Sequence, residues 1–149
     1  MRLIIYKIPD KEKISPNLGK LLEKLATSKK IGVLCDTNIL DNFDKELWIF
    51  STNAFLPHDI ATGDVETDEL QPVLISDKIG LINREVVCVF NNLDLHSVVE
   101  FQKTNKECKI ADIVYMTKDN FNNCDFTKND NIKIDMFEKI QDKWNKIGN

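Results

Sequence analysis

Glycine is scarce in this chain, and where it stands excludes more than how often. The five glycines, Gly19, Gly32, Gly63, Gly80 and Gly148, nowhere form Gly-x-Gly-x-x-Gly or a Gly-Lys-Ser/Thr loop. Backbone that must approach a pyrophosphate closely needs such residues. The turn after the first apolar run, Pro9-Asp10-Lys11-Glu12-Lys13, carries none, and the turn after the second, Asp36-Thr37-Asn38, would set a carboxylate against any bound anion. Long apolar runs are missing as well, so no membrane span is expected. The opening residues Met1-Arg2-Leu3-Ile4-Ile5-Tyr6-Lys7 are too few and too soon charged for a secretory leader, and the expected location is cytoplasmic. The four cysteines, Cys35, Cys88, Cys108 and Cys124, include no Cys-x-x-Cys pair, and His58 and His96 stand at no metal-ligand interval from them. Cys35 and Cys88 lie inside apolar runs, where a free thiol behaves as a small hydrophobe. Ser28, Ser51, Ser76 and Ser97 sit in no nucleophile-elbow context. His58 beside Asp59 superficially suggests a base and its orienter, but neighbours in an extended segment point to opposite faces. No catalytic residue, cofactor or metal is expected. The formal net charge of -4 gives no reason for affinity toward DNA phosphates.

What is present fits one domain over residues 1–149, long enough to bury about two-thirds of its unfolded surface. Leu3 to Ile8 is an apolar run of strand length. Ser15-Pro16 reads as a helix start, and Leu18, Leu21, Leu22, Leu25 and Ala26 form that helix's stripe, with Lys29 and Lys30 at its basic end. Ile31 to Cys35 is continuously apolar, as a strand covered on both faces should be. Further strands are expected at Val73–Ile75, Val86–Phe90 and Ile110–Tyr115, with a helix over Leu95 to Phe101. Strands alternating with helices predict an α/β fold, a three-layer α/β/α domain with a mainly parallel, Rossmann-like sheet. Asp59 to Glu69, with five acids and no base, reads as a solvated acidic loop. Thr117 to Asn131, dense in Asn and Asp, reads as a long loop or local insertion.

Two segments carry the functional signal. An amphipathic helix is expected from Asn38 to Phe50, with Ile39, Leu40, Phe43, Leu47 and Phe50 within about 100° of arc. Trp48 falls opposite that stripe, close to Phe55-Leu56-Pro57. Either the returning chain covers Trp48 as a satellite core, or the indole is an exposed anchor of the kind enriched in interface hot spots. The second segment is a C-terminal helix expected from Ile134 to Ile147. Phe137, Ile140, Trp144 and Ile147 make its apolar stripe and Lys139, Lys143 and Lys146 flank it. That arrangement serves as a core face with a solvated edge, or as an apolar floor with a cationic rim for a short acidic peptide ending in a carboxylate.

The run Phe43-Asp44-Lys45-Glu46-Leu47-Trp48 followed by Phe55-Leu56-Pro57-His58-Asp59 resembles the chi subunit of the bacterial DNA polymerase III holoenzyme. The likeness is most specific over Leu40 to Ile60 and extends more loosely, as an order of elements, along the chain. It implies a Rossmann-like domain without nucleotide and a noncatalytic accessory subunit. Such a subunit links the clamp loader, through psi, to single-stranded DNA-binding protein during DNA replication, and meets nucleic acid only indirectly. It implies a psi or other partner surface at Trp48, Phe55, Leu56, Pro57 and His58, and a site for the tail of single-stranded DNA-binding protein at Lys139, Lys143 and Trp144. Gln141 stands where the family has Arg, and the family's further C-terminal residues are lacking after Asn149, so Lys139 or Lys143 would take over the charge role. Without the resemblance, a small Rossmann-like nucleotide-binding protein or enzyme stays open as the alternative.

Overall fold

In the computed structural model, which describes residues 1–49, 56–118 and 132–147, one eight-stranded sheet carries the chain. The strands are β1 (Arg2–Lys7), β2 (Ile31–Leu34), β3 (His58–Ile60), β4 (Val73–Ser76), β5 (Val86–Val89), β6 (Asp112–Thr117), β7 (Lys133–Ile140) and β8 (Lys143–Ile147). Their spatial order is β3-β4-β2-β5-β6-β1-β7-β8. Neighbours are parallel up to β7, and β8 returns antiparallel to it. Helix α1 (Ile14–Leu25) and helix α2 (Thr37–Ile49) bury Leu18, Leu21, Leu22, Phe43 and Leu47 against Ile31, Val33, Val73 and Ile75 on one face. Helix α4 (Asn92–Thr104) buries Leu95, Val98 and Val99 against Leu3, Ile5, Val87 and Val89 on the other. The sheet is therefore the middle of three layers, as the alternation of elements predicts. Its inner strands β2, β4 and β5 are buried at every residue, which is why they read as unbroken apolar runs.

The observed bounds sharpen several expectations. The first helix starts at Ile14 with Lys13 at the N-cap, so Ser15 is not the cap and Pro16 lies within the first turn, where a missing N–H costs nothing. In α2 the stripe is narrower than periodicity suggests: Phe43 and Leu47 are buried, Leu40 is half-buried, and Ile39 is exposed. Phe50 and Phe55 lie outside the described residues, as do Cys124 and residues 119–131 of the expected long loop, whose first residue Thr117 instead ends β6.

Two expectations need correction. The acidic stretch Asp59 to Glu69 is exposed over most of its length, as expected, but it is not a loop throughout. It holds the end of β3 and a short helix α3 (Val65–Glu69) capped by Asp64, which accepts from Glu66 N. Buried Asp68 organises it, accepting from Thr62 N at 3.0 Å, Thr62 Oγ1 at 2.9 Å and Gly63 N at 3.0 Å. The turn that makes this possible runs through Gly63 at φ +89. Arg84 then ties α3 to the amino ends of the strands. Its guanidinium donates to Asp68 O at 2.7 Å, Gln71 O at 2.6 Å and Ile31 O at 3.2 Å.

The second correction is larger. Residues 134–147 form no helix; they are the hairpin β7–β8, turned by Gln141 and Asp142, both at positive φ (50 and 63). The reason is tertiary. Strand β1 is buried at Leu3, Ile4 and Ile5, and its outer backbone edge must be paired. Strand β7 pairs it in parallel, Arg2 opposite Lys133 through Lys7 opposite Glu138. The 3-4-3 spacing of Phe137, Ile140, Trp144 and Ile147 fits a helix only by coincidence.

Candidate functional site

The central motif folds into a pinned aromatic surface. His58, at the start of edge strand β3, has a fully buried side chain. Its Nδ1 lies 2.6 Å from Leu56 O, and its Nε2 lies 3.1 Å from Asp44 O and 3.2 Å from Asp44 Oδ1 on α2. The imidazole therefore fastens the returning loop to the helix. Trp48, one turn beyond Asp44, lays its indole on this imidazole with centroids 4.4 Å apart, and remains 51% exposed. Leu56 is buried and Pro57 exposed. Of the predicted patch, then, Trp48 and Pro57 face solvent while Leu56 and His58 support them from beneath. Asp59 is exposed and accepts from Ile60 N at 2.8 Å, so it does not orient His58.

A second site lies at the opposite edge of the sheet. In β7 and β8, Phe137, Lys139 and Trp144 share one face, because Lys139 and Trp144 are directly paired and side chains alternate along a strand. Tyr6 of β1 joins them, stacked on Phe137 at 5.4 Å and edge-on to Trp144 at 5.0 Å. One face of α1, carrying Asn17, Lys20, Leu21 and Lys24 at helical spacing, forms the other wall. Between them runs a groove of about 480 Å³ with an aromatic floor. Lys139 Nζ is held by Glu12 Oε1 at 2.7 Å and Asn17 Oδ1 at 2.8 Å, with Asp142 Oδ1 at 3.7 Å. The hydrogen bond from Lys139 keeps the Glu12 carboxyl below the usual carboxylate range. Lys20 and Lys24 form no ion pair among the described residues.

The hairpin thus brings Lys139 and Trp144 together but sends Lys143 to the other face of the sheet, where it pairs across from Ile140. Lys20, Lys24 and Tyr6 enter the groove without having been singled out in the sequence. The signal was present in the two lysines, which lie beside the apolar stripe of α1, but nothing local shows which neighbour that helix faces.

The carboxyl ends of β2 and β5 deserve comparison with these sites, since open α/β sheets bind nucleotides where connections depart to opposite faces. The chain leaves β2 for α2 on one face and β5 for α4 on the other. The buried Cys35 thiol there is pushed up to about 12, first by burial and then by Asp94, Asp36 and Asp77. Burial and Asp36 raise the Asp94 carboxyl, and Thr37 Oγ1 donates to Asp77 Oδ2 at 2.6 Å. A crevice ringed by carboxylates repels a phosphate, and thiols held protonated are poor nucleophiles.

No helix among the described residues is long and apolar enough to cross a membrane. No curated protein matches the chain at a significant level. The family model described as DNA polymerase III chi subunit, HolC, matches residues 3–120, a span that includes the Trp48–His58 patch and ends before β7. The chain, with its central Trp and Pro-His motif set on a mostly parallel α/β sheet, belongs to the DNA polymerase III chi subunit family.

Proposed function

We propose that this subunit is a noncatalytic adaptor with two protein ligands, the acidic C-terminal tail of single-stranded DNA-binding protein in the α1–β7–β8 groove and psi, or a protein in its place, on the Trp48–Pro57 surface. Through them it links the clamp loader to protein-coated single-stranded DNA. The observation that carries the reading is the groove itself: the aromatic rings of Tyr6, Phe137 and Trp144 form one side, and Lys20 and Lys24 of α1 line the facing wall. An apolar terminal residue fits the floor, and neighbouring carboxylates meet the rim. Of the residues expected from the sequence, this reading keeps Lys139 and Trp144, which line the groove, and leaves out Lys143, which stands on the other face of the sheet. A nucleotide-binding reading is disfavoured by the carboxylates around Cys35.

The test is fluorescence anisotropy with a labelled synthetic peptide of acidic residues ending in an apolar residue and a free carboxylate. Affinity in the micromolar range, about −7 to −8 kcal/mol, is expected, weakening with salt. Lys20→Glu combined with Lys24→Glu should abolish binding, whereas Lys143→Glu should be nearly neutral. Unchanged affinity in the double variant would remove the groove from consideration.

A further inference from the structure

We propose that Glu12 is a built-in competitor for the groove's anchoring cation, a carboxylate of the chain itself that occupies Lys139 until a sufficiently anionic ligand displaces it. The inference rests on the groove being the acidic-peptide site. Lys139 lines that groove, yet its charge is already engaged: Glu12 Oε1 sits 2.7 Å from Nζ, and Asp142 Oδ1 lies 3.7 Å away. Glu12 is itself oriented, because Asn17 Nδ2 donates to Glu12 Oε1 at 3.1 Å and to Lys13 O at 2.9 Å. The pair is therefore not a chance meeting of long side chains. It is set by the first turn of α1, and it spans residues 127 apart in sequence.

An incoming carboxylate meets Lys20 and Lys24 at the rim directly, but gains Lys139 only by displacing Glu12. A ligand with a single carboxylate gains little at that position. A ligand with several clustered acids can engage the rim and still compete for Lys139. Glu12 thereby sets how much negative charge a peptide must bring, and it discriminates against weakly acidic chain ends.

Glu12→Gln tests this in the same anisotropy assay, because the amide oxygen still accepts from Lys139 while the competing charge is gone. Affinity for the acidic peptide should rise roughly two- to fivefold at low salt, the range of exposed ion pairs. The gain should shrink as salt is raised. Glu12→Ala should give the same sign, and Lys139→Met in the Glu12→Gln background should erase the gain, as a coupled pair requires. Unchanged affinity in Glu12→Gln overturns the competition. Weaker binding also overturns it, showing that Glu12 positions Lys139 for the ligand instead. Trp144→Ala separates the two levels. If it weakens binding while Glu12→Gln gives no gain, the groove stands and the competitor falls. If it has no effect, the peptide binds elsewhere and both fall.

Discussion

Trp48→Ala is the perturbation that best separates an interface residue from a core residue. The indole is half exposed and packs on the buried His58 ring at 4.4 Å. A fully buried Trp truncated to Ala costs about 3–5 kcal/mol, and an aromatic pair alone about 0.5–1.5 kcal/mol. Half exposure places the loss near half of the fully buried figure, about 1.5–2.5 kcal/mol. For a chain of this size each kcal/mol moves the melting temperature by about 2–4 °C, so the variant should melt about 3–10 °C below the parent. Phe43→Ala is the internal control, since Phe43 lies on the same helix, is buried, and meets Phe90 edge-on at 4.9 Å. It should cost about 3–5 kcal/mol.

The binding readout should reverse that order. Loss of a central aromatic anchor commonly costs about 2 kcal/mol or more of affinity, enough to remove a partner from a washed affinity column. Scanning calorimetry on both variants, with copurification of the partner from cells expressing each, gives the two numbers. Trp48→Ala melting as low as Phe43→Ala would show that the indole is core. Retention of the partner by Trp48→Ala would show that the surface is not its dock.

Two further expectations test the frame that positions these sites. Gly32→Ala should destabilise by about 1–3 kcal/mol, because an added Cβ would lie 2.7 Å from Ile82 O and 2.8 Å from Ile82 Cβ, and the carbonyl belongs to backbone that cannot swing aside; an unchanged chemical-denaturation midpoint would refute the close approach. Replacing Gln141-Asp142 by Asn-Gly should stabilise by about 0.5–1 kcal/mol, since both positions have positive φ and Asn-Gly suits such a hairpin turn; a loss of stability would argue against the hairpin.

The legible parts of this fold are those where one physical requirement dominates. Strands β2, β4 and β5 are covered on both faces, so apolarity alone marks them to within two residues. Helices α1, α2 and α4 show their faces through Leu18-Leu21-Leu22, Phe43-Leu47 and Leu95-Val98-Val99. Strand β3 was missed because its three residues, His-Asp-Ile, hold their place through the His58 contacts with α2 rather than through apolarity. Helix α3 was missed because Asp68, read as a surface acid, is buried by bonds to a turn that no periodicity records. The hairpin was misread because Gln-Asp is a weak turn signal and the pairing that decides the matter is with β1, more than a hundred residues away.

The consequence for the candidate site is specific. The hairpin sets Trp144 directly across from Lys139, whereas on the expected helix the two, five residues apart, would stand about 140° apart around the axis. Only the helix would add Lys143; the hairpin replaces it with Lys20 and Lys24 from α1. The sheet order then sets how the two proposed docks relate. Trp48 rests on His58 of β3, one edge of the sheet, and Trp144 belongs to β8, the other. Seven inter-strand steps of about 4.8 Å put them on the order of 30 Å apart. That separation leaves each proposed ligand its own surface, as the proposed link between two protein assemblies requires.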